Sequence, residues 1–547
     1  MTGASEWAPP PQMKWWGWGD PERRVPVPDR ALSLIRDELG PAESSRVVDL
    51  EQVSMPEPRP VGSEVIDAVN RASVLTSHEH RLRRAAGRGY PDLVRLRAGR
   101  LDAAPDAVVL PGSAERVSRL LEVCSRRGIA VVPFGGGTSV VGGVEPVRGR
   151  HAAVVALDTR RIRGIEIDRR SMTATFGAGL RAPDAEAALQ AEGLTLGHFP
   201  QSFEYATIGG FAATRSAGQA SSGYGRFDAL AAAVRLIAPA GELRTLEVSH
   251  TAAGPSLREL VLGSEGTLGV ITDVTVRARA APKHRRYEGW MASDFAAGVE
   301  AARELAQRDA LPDIVRVSDE DETRLSLALS GSAAPSRALA GAYLAVRRRR
   351  GGCLVVAGWE GEREAVERRR SAAGIVLRSA GCAALGVSPG RAWARSRFEA
   401  PYLRDDLMDH GYLVETLETA HTWSRLDELY RGVRSAIAGS LQRLGTPPMV
   451  MCHVSHVYRD GASLYFTFIA KRRPNEELEQ WAAAKHAAGQ AILAAGGTIT
   501  HHHAVGRDHV PYMAAEVGPL GIEILSGLKK RLDPAGIMNP GKLLPGG

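Results

Sequence analysis

Hydrophobic and polar positions change period several times along the chain, and each change marks a new element. Ala107-Val108-Val109-Leu110 is a short apolar run, residues 113–126 carry apolar side chains at helical spacing behind a Ser113 cap, and Ile129-Ala130-Val131-Val132 is apolar again. That order predicts a β-α-β unit whose second strand runs straight into a glycine-rich loop. Strand-like runs at 153–157, 165–167, 173–176 and 233–238, a helix-like stretch at 182–192 and a closing segment at 263–276 predict an α+β domain over 101–282. Beyond it the pattern turns to long Ala- and Arg-rich helical stretches with strands such as 353–356 and 463–468, which predicts a second α+β domain over 283–497. The last segment, 498–547, holds a helix around 522–531 and a turn-rich tail at 533–542. At the other end, 1–12 reads as a disordered tail and 13–100 as a helical lead-in, with Trp15, Trp16 and Trp18 expected to pack.

Composition narrows the function classes. At 547 residues the chain exceeds what one hydrophobic core supports, and 44% hydrophobic with 24% charged residues excludes general disorder. No apolar run is long enough for a bilayer, and the start lacks a basic stretch followed by an apolar one. Cys124, Cys353, Cys382 and Cys452 lie far apart without a CxxC pair, which argues against a disulfide framework or a cysteine zinc site and fits a reducing cytoplasm. The formal charge of +7 invites anionic partners, but aromatic residues are only 5% and do not interleave with basic ones, so nucleic acid is not expected. Leu339, Ala340, Tyr343, Leu344 and Val346 directly precede Arg347–Arg350, a pattern that reads either as an ordinary buried helix with a solvated end or as a peripheral contact to an anionic membrane face.

The loop Pro133-Phe134-Gly135-Gly136-Gly137-Thr138-Ser139 lets the backbone come close to a ligand, with N–H groups and hydroxyls available to phosphate oxygens. A Cβ at Gly136 is expected to enter the space of a phosphate. The loop is neither GxGxxG nor GK[ST], so it supports neither an ordinary Rossmann site nor an NTPase, and taken alone it reads equally as a tight turn. Two further segments rich in glycine and small hydroxyl residues come after it: Gln201-Ser202 ahead of Thr207, Gly209, Gly210, Thr214, Arg215, Ser216 and Ala217, then Glu265-Gly266-Thr267-Leu268-Gly269-Val270-Ile271. Neither flank of the loop offers a histidine or cysteine for a covalent bond to such a ligand.

Among candidate chemical residues, His501-His502-His503 stand out. In an extended segment neighbours point to opposite faces, so only His501 and His503 could converge, and no carboxylate pair or cysteine completes a metal set. No metal is expected. Tyr465 sits in the alternating run Leu464-Tyr465-Phe466-Thr467-Phe468 and reads by itself as a half-buried strand aromatic, while Arg404 in Tyr402-Leu403-Arg404-Asp405 reads as an ion-paired helix residue.

The order GGGTS, TIGG with TRSAG, then GSEGTLGVIT resembles the FAD domain of the vanillyl-alcohol-oxidase superfamily. Within it the sequence is similar to the alkyldihydroxyacetonephosphate synthase family, from Lys14-Trp15-Trp16-Gly17-Trp18-Gly19 almost to the C-terminus, including Ile314-Val315-Arg316, Tyr402-Leu403-Arg404-Asp405, Leu464-Tyr465-Phe466 and the histidine triplet. The resemblance implies a two-part, PCMH-type FAD-binding domain over 101–282 holding FAD non-covalently, a cap or substrate domain over 283–497, and active-site histidines in 498–547. It implies exchange of the acyl chain of acyl-dihydroxyacetone phosphate for a fatty alcohol, with the flavin as an electron sink and no net redox. Tyr465 and the triplet would then move protons, Arg404 would contact substrate, and Arg316 would support the site. A lipid-like substrate, a peripheral membrane position and a homodimer are the corresponding partner expectations. Gln201 replaces the family's aspartate, and the tail Asn539-Pro540-Gly541-Lys542 looks more like flavin-dependent D-lactate and glycolate dehydrogenases, which keeps a 2-hydroxy-acid dehydrogenase as the alternative. The end, Leu544-Pro545-Gly546-Gly547, is no SKL-type peroxisomal address.

Overall fold

The computed structural model describes residues 12–330, 343–347, 349 and 351–545. Residues 1–11, and with them nearly all of the expected disordered tail, lie outside the described residues, as do Leu339 and Ala340 of the expected membrane segment. The predicted β-α-β unit is present. Ala107–Val109 and Ile129–Phe134 both pair in parallel with Ala153–Asp158, and Val74–Leu75 completes a four-stranded sheet. The helix Ala114–Arg127 starts where Ser113 accepts a hydrogen bond from the Arg116 N–H and stops at Gly128, whose φ of 62° favours glycine. It buries Val117, Leu120, Leu121 and Cys124 against the strands, so the second strand reaches the glycine loop from a fixed base. A second, antiparallel sheet runs Ile165–Asp168, Thr173–Gly177, Val270–Arg277, Ala231–Ala238, Gly241–Arg244.

A third sheet carries the rest of the site. Seven strands lie in the order Ala383–Gly386, His284–Ala292, Cys353–Gly361, Ile314–Ser318, Met449–Val457, Gly461–Lys471, Tyr412–Thr422, every pair antiparallel. Helices Phe295–Gln307, Arg363–Ser379, Leu426–Arg443 and Glu477–Ala495 pack against it and share one large core with Leu464, Phe466 and Phe468. Strand alternation therefore sends Tyr465 and Thr467 to the opposite face. The register sets Glu418 opposite Tyr465, Tyr465 opposite His453, and Ser318 opposite His453, which lays four polar residues in one row across four strands. Next to the row, Val454 faces Leu464 but His456 faces Ser463, so Ser455 is the extra residue of a β-bulge.

Two elements differ from expectation. The lead-in forms only short helices, Asp29–Leu39, Ser63–Val69, His78–Leu82 and Tyr90–Arg97, because Pro- and Gly-containing stretches interrupt the periodicity; Trp15 and Trp18 are buried as expected. The C-terminal helix runs Met513–Leu532, longer than predicted, with a break at Gly518 (φ 74°) before Pro519. Past it, the tail docks on the glycine-loop strand: the Val131 N–H donates to Ile537 O and the Asn539 N–H to Val131 O, both at 2.8 Å. Among the described residues no helix is long and apolar enough to cross a membrane.

Candidate active site

The glycine loop, the 201–217 segment, Glu265–Ile271 and the seven-stranded sheet enclose one cavity of about 420 Å³. Pro133, Phe134, Gly135, Gly136, Gly137, Thr138, Ser139, Gln201, Ser202, Thr207, Gly209, Gly210, Thr214, Ser216, Ala217, Glu265, Gly266, Gly269, Val270 and Ile271 all line it. The loop presents a phosphate cradle: among the described residues, the N–H groups of Gly136, Gly137 and Thr138 donate to no protein acceptor. On another part of the wall, Gln201 Nε2 and Gln219 Oε1 are buried without a partner, as polar atoms waiting for a ligand are. These groups fit FAD. The glycines themselves serve packing. A Cβ on Gly136 would lie 2.1 Å from Tyr205 O and one on Gly135 2.4 Å from Thr207 Oγ1, so the expectation that a Gly136 side chain would fill the phosphate space is wrong: it would strike the neighbouring chain segment.

Three of the sequence-predicted flavin residues turn away from the cavity. Arg215 adopts φ 49° at the end of helix Ile208–Thr214, and its guanidinium bonds Leu262 O at 2.9 Å and ion-pairs with Glu259 at 2.9 Å. Thr267 donates to Ser264 O at 2.7 Å, and Leu268 packs into the core of the five-stranded sheet. Glu265 has a double role. Its carboxylate accepts the N–H groups of Val505 (2.8 Å) and Gly506 (2.7 Å), yet burial pushes its pKa up to about 7.

The histidine triplet is held by another buried carboxylate. Glu418 accepts the N–H groups of His501 (2.6 Å), His502 (3.0 Å) and His503 (2.8 Å), and also the Thr500 hydroxyl at 2.7 Å. Burial opposes its ionisation, but the facing imidazoles and these N–H donors hold the carboxyl well below its usual range. The segment bends around that carboxylate instead of running extended, so the expected split of the triplet fails: His502 and His503 line the cavity, whereas His501 sits behind it with Nε2 2.8 Å from the Tyr458 hydroxyl. Tyr465 stands among the rings, 4.9 Å from His453, 6.0 Å from His502 and 5.4 Å from His503 between centroids. Burial pushes its phenol up to about 12 while a Thr416 hydrogen bond works the other way. Burial also pushes His503 down to about 3 and lowers His502 and His453. Arg404 and Arg316 reach the same cavity. Arg404 is tied to Arg88 O at 2.7 Å and Asp405 at 3.0 Å, Arg316 to Glu322 at 2.6 Å.

Residues 105–247 match the family model described as FAD binding domain, and 281–543 match the FAD linked oxidases, C-terminal domain. An alkyldihydroxyacetonephosphate synthase of Dictyostelium discoideum is 32% identical over 98% of this chain and 94% of its own length. A solved alkyldihydroxyacetonephosphate synthase structure superposes with TM-score 0.84 at 30% identity, over 97% of this chain and 99% of that one. The chain belongs to the alkyldihydroxyacetonephosphate synthase family. It is an FAD-dependent enzyme of the PCMH-type fold, an architecture shared with p-cresol methylhydroxylase at TM-score 0.66 and 14% identity, over 89% of this chain and 98% of that one.

Several cavity residues of this family member escape sequence reasoning. His453 lines the cavity and bonds Glu322 through Nδ1 at 2.8 Å; burial opposes ionisation of Glu322, but Arg316 and His453 hold its carboxyl well below the usual range. His456 joins the cavity wall through the bulge. The available signal is Cys452-His453-Val454-Ser455-His456: alternation would bury His456 in the core, and a polar residue at a core position marks a break in register. The tail Asn539–Lys542 proves to be a brace. Asn539 Nδ2 donates to Gly143 O and Glu265 O, and Lys542 Nζ to Glu145 O, which ties the tail to the glycine-loop segment and to Glu265.

Two outcomes are expected. Gly136→Val should abolish FAD retention, because the collision with Tyr205 O displaces the loop; undiminished flavin absorbance in the purified variant would remove the loop from the site. Glu418→Gln replaces an acceptor oxygen by a donor facing backbone N–H groups, and should lower unfolding free energy by about 1–3 kcal/mol in denaturant titration of the FAD-loaded protein. An unchanged midpoint would show that other contacts hold the triplet.

Proposed function

We propose that this protein exchanges the acyl chain of acyl-dihydroxyacetone phosphate for a fatty alcohol, forming the ether bond of alkyl-dihydroxyacetone phosphate and releasing a fatty acid. The observation that carries the reading is that Tyr465, His502, His503 and Arg404 share one cavity with the flavin-binding loop. FAD, held without a covalent bond, supplies an electron sink that no side chain here can provide, with no net change of redox state. The Arg404 guanidinium suits the substrate phosphate or the departing carboxylate, and Arg316, fixed by Glu322, presents a second guanidinium to the cavity. One of His503 and His502, both neutral because burial lowers them, accepts the proton leaving the substrate carbon that carried the acyl group. Tyr465, protonated at neutral pH, exchanges a proton with the entering alcohol. Reaction at a bilayer face fits the lipid substrates, and Val346, 84% exposed beside Arg347, offers an apolar and basic contact there.

Tyr465→Phe should retain FAD and fold yet lose alkyl exchange when acyl-dihydroxyacetone phosphate and a long-chain alcohol are supplied anaerobically. D-lactate or glycolate bleaching the flavin, with no ether product, would replace this reading by the dehydrogenase. With His503 lowered to about 3, its base form persists as pH falls through 6.5, so the wild-type rate should show no acid limb at that pH; a limb centred near 6.5 would assign the proton to a solvent-exposed histidine. Salt-sensitive sedimentation with anionic but not neutral vesicles is expected, and equal sedimentation with both would count against the membrane contact.

A further inference from the structure

We propose that His456, His501 and His502 form a binding site for a divalent transition-metal ion of the zinc class, set into the rear wall of the cavity. Each of the three offers a ring nitrogen, and these atoms all lie within 4.8 Å of one another. His501 Nδ1 and His502 Nδ1 are 3.1 Å apart, close to the roughly 3.4 Å between ligands on a tetrahedral zinc with bonds of about 2.0–2.1 Å. The three rings cluster at centroid distances of 5.2–5.4 Å, His456 stacked on His501 and His502 edge-on to both.

An independent observation points to a missing occupant. His456 is buried, yet its Nδ1 has no hydrogen-bond partner. A buried, unpaired ring nitrogen calls for an ion or a water. The supports expected around a metal ligand are also present. The Tyr458 hydroxyl at 2.8 Å receives the Nε2 side of His501, which leaves Nδ1 of that ring for the cluster. The buried Glu418 carboxylate, 3.5 Å from His502 Nδ1, supplies a countercharge. The β-bulge that turns His456 inward is itself pinned, with Ser463 Oγ accepting the His456 N–H at 3.1 Å and sharing a hydrogen bond with Ser455 Oγ at 2.7 Å. Imidazole donors select zinc, copper or nickel over magnesium and calcium. Bound metal occupies the His502 nitrogen and removes that ring from proton transfer, so occupancy slows turnover; this second consequence rests on the function proposed above.

The test uses the full-length, FAD-loaded protein, stripped with a chelator and dialysed against buffered zinc, with zinc and FAD then quantified per chain. One retained zinc per chain is expected in the wild type, and its loss in His456→Ala at unchanged FAD content. No retention by the wild type, or equal retention by the variant, overturns the site. Should His456→Ala lose FAD, cobalt(II) added to the wild type decides: intense ligand-field bands beyond the flavin absorption support a four-coordinate nitrogen site, and their absence overturns it. In parallel, zinc should slow ether formation and chelator restore it. If no ether product forms under any condition, the proposed function fails, while zinc stoichiometry still decides the metal site.

Discussion

The site depends on one interaction, the burial of the Glu418 carboxylate beneath three successive N–H groups of the histidine turn. A carboxylate fully removed from water is costly unless it is hydrogen-bonded, and here the Thr500 hydroxyl and the triplet's N–H groups all donate to it. The consequence is geometric. The chain must curl around the carboxylate, and in curling it sends His502 and His503 to the cavity and His501 behind it. Glu265 repeats the device from the other side by holding the N–H groups of Val505 and Gly506. One carboxylate belongs to the seven-stranded sheet and the other to a flavin segment, so residues 501–506 are sewn between the two halves of the cavity.

The sheet contributes through register. Glu418, Tyr465 and His453 are paired neighbours on three strands, so a slip of one residue would move all of them into the core and Leu464, Phe466 and the other core residues to the cavity. The apolar face thus specifies the chemistry of the polar face. The bulge at Ser455 is the one place along this row where the rule is broken, and it adds a ring that alternation would have buried.

Much of this is legible in the chain. The β-α-β unit, the capped helix, the glycine loop and the alternation around Tyr465 are local patterns, and local patterns survive into the fold because nearby residues create them. The features that are not legible depend on partners distant in sequence. Glu418 lies far from the triplet, Glu322 from His453, and Val131 from Met538, so no spacing rule links them. Arg215 misleads for the same reason: a TRSAG motif does not reveal that Glu259 will capture its guanidinium. At Gly136 the space expected for a phosphate is taken by Tyr205 O, which approaches from a segment folded over the loop.

Burial at the cavity explains why a protonated phenol and a neutral imidazole coexist at neutral pH. Removal from water disfavours whichever form is charged, so it lowers an imidazole and raises a phenol. His503 is driven down to about 3 and Tyr465 up to about 12, although their rings are only 5.4 Å apart. A gap of that size makes direct transfer from the phenol to the imidazole strongly uphill. The two groups therefore remain in their resting forms, one holding a proton and one lacking it, until a reacting molecule comes between them. In the exchange proposed above, a proton taken by one wall and returned by another would then travel through the substrate and not directly between these two side chains.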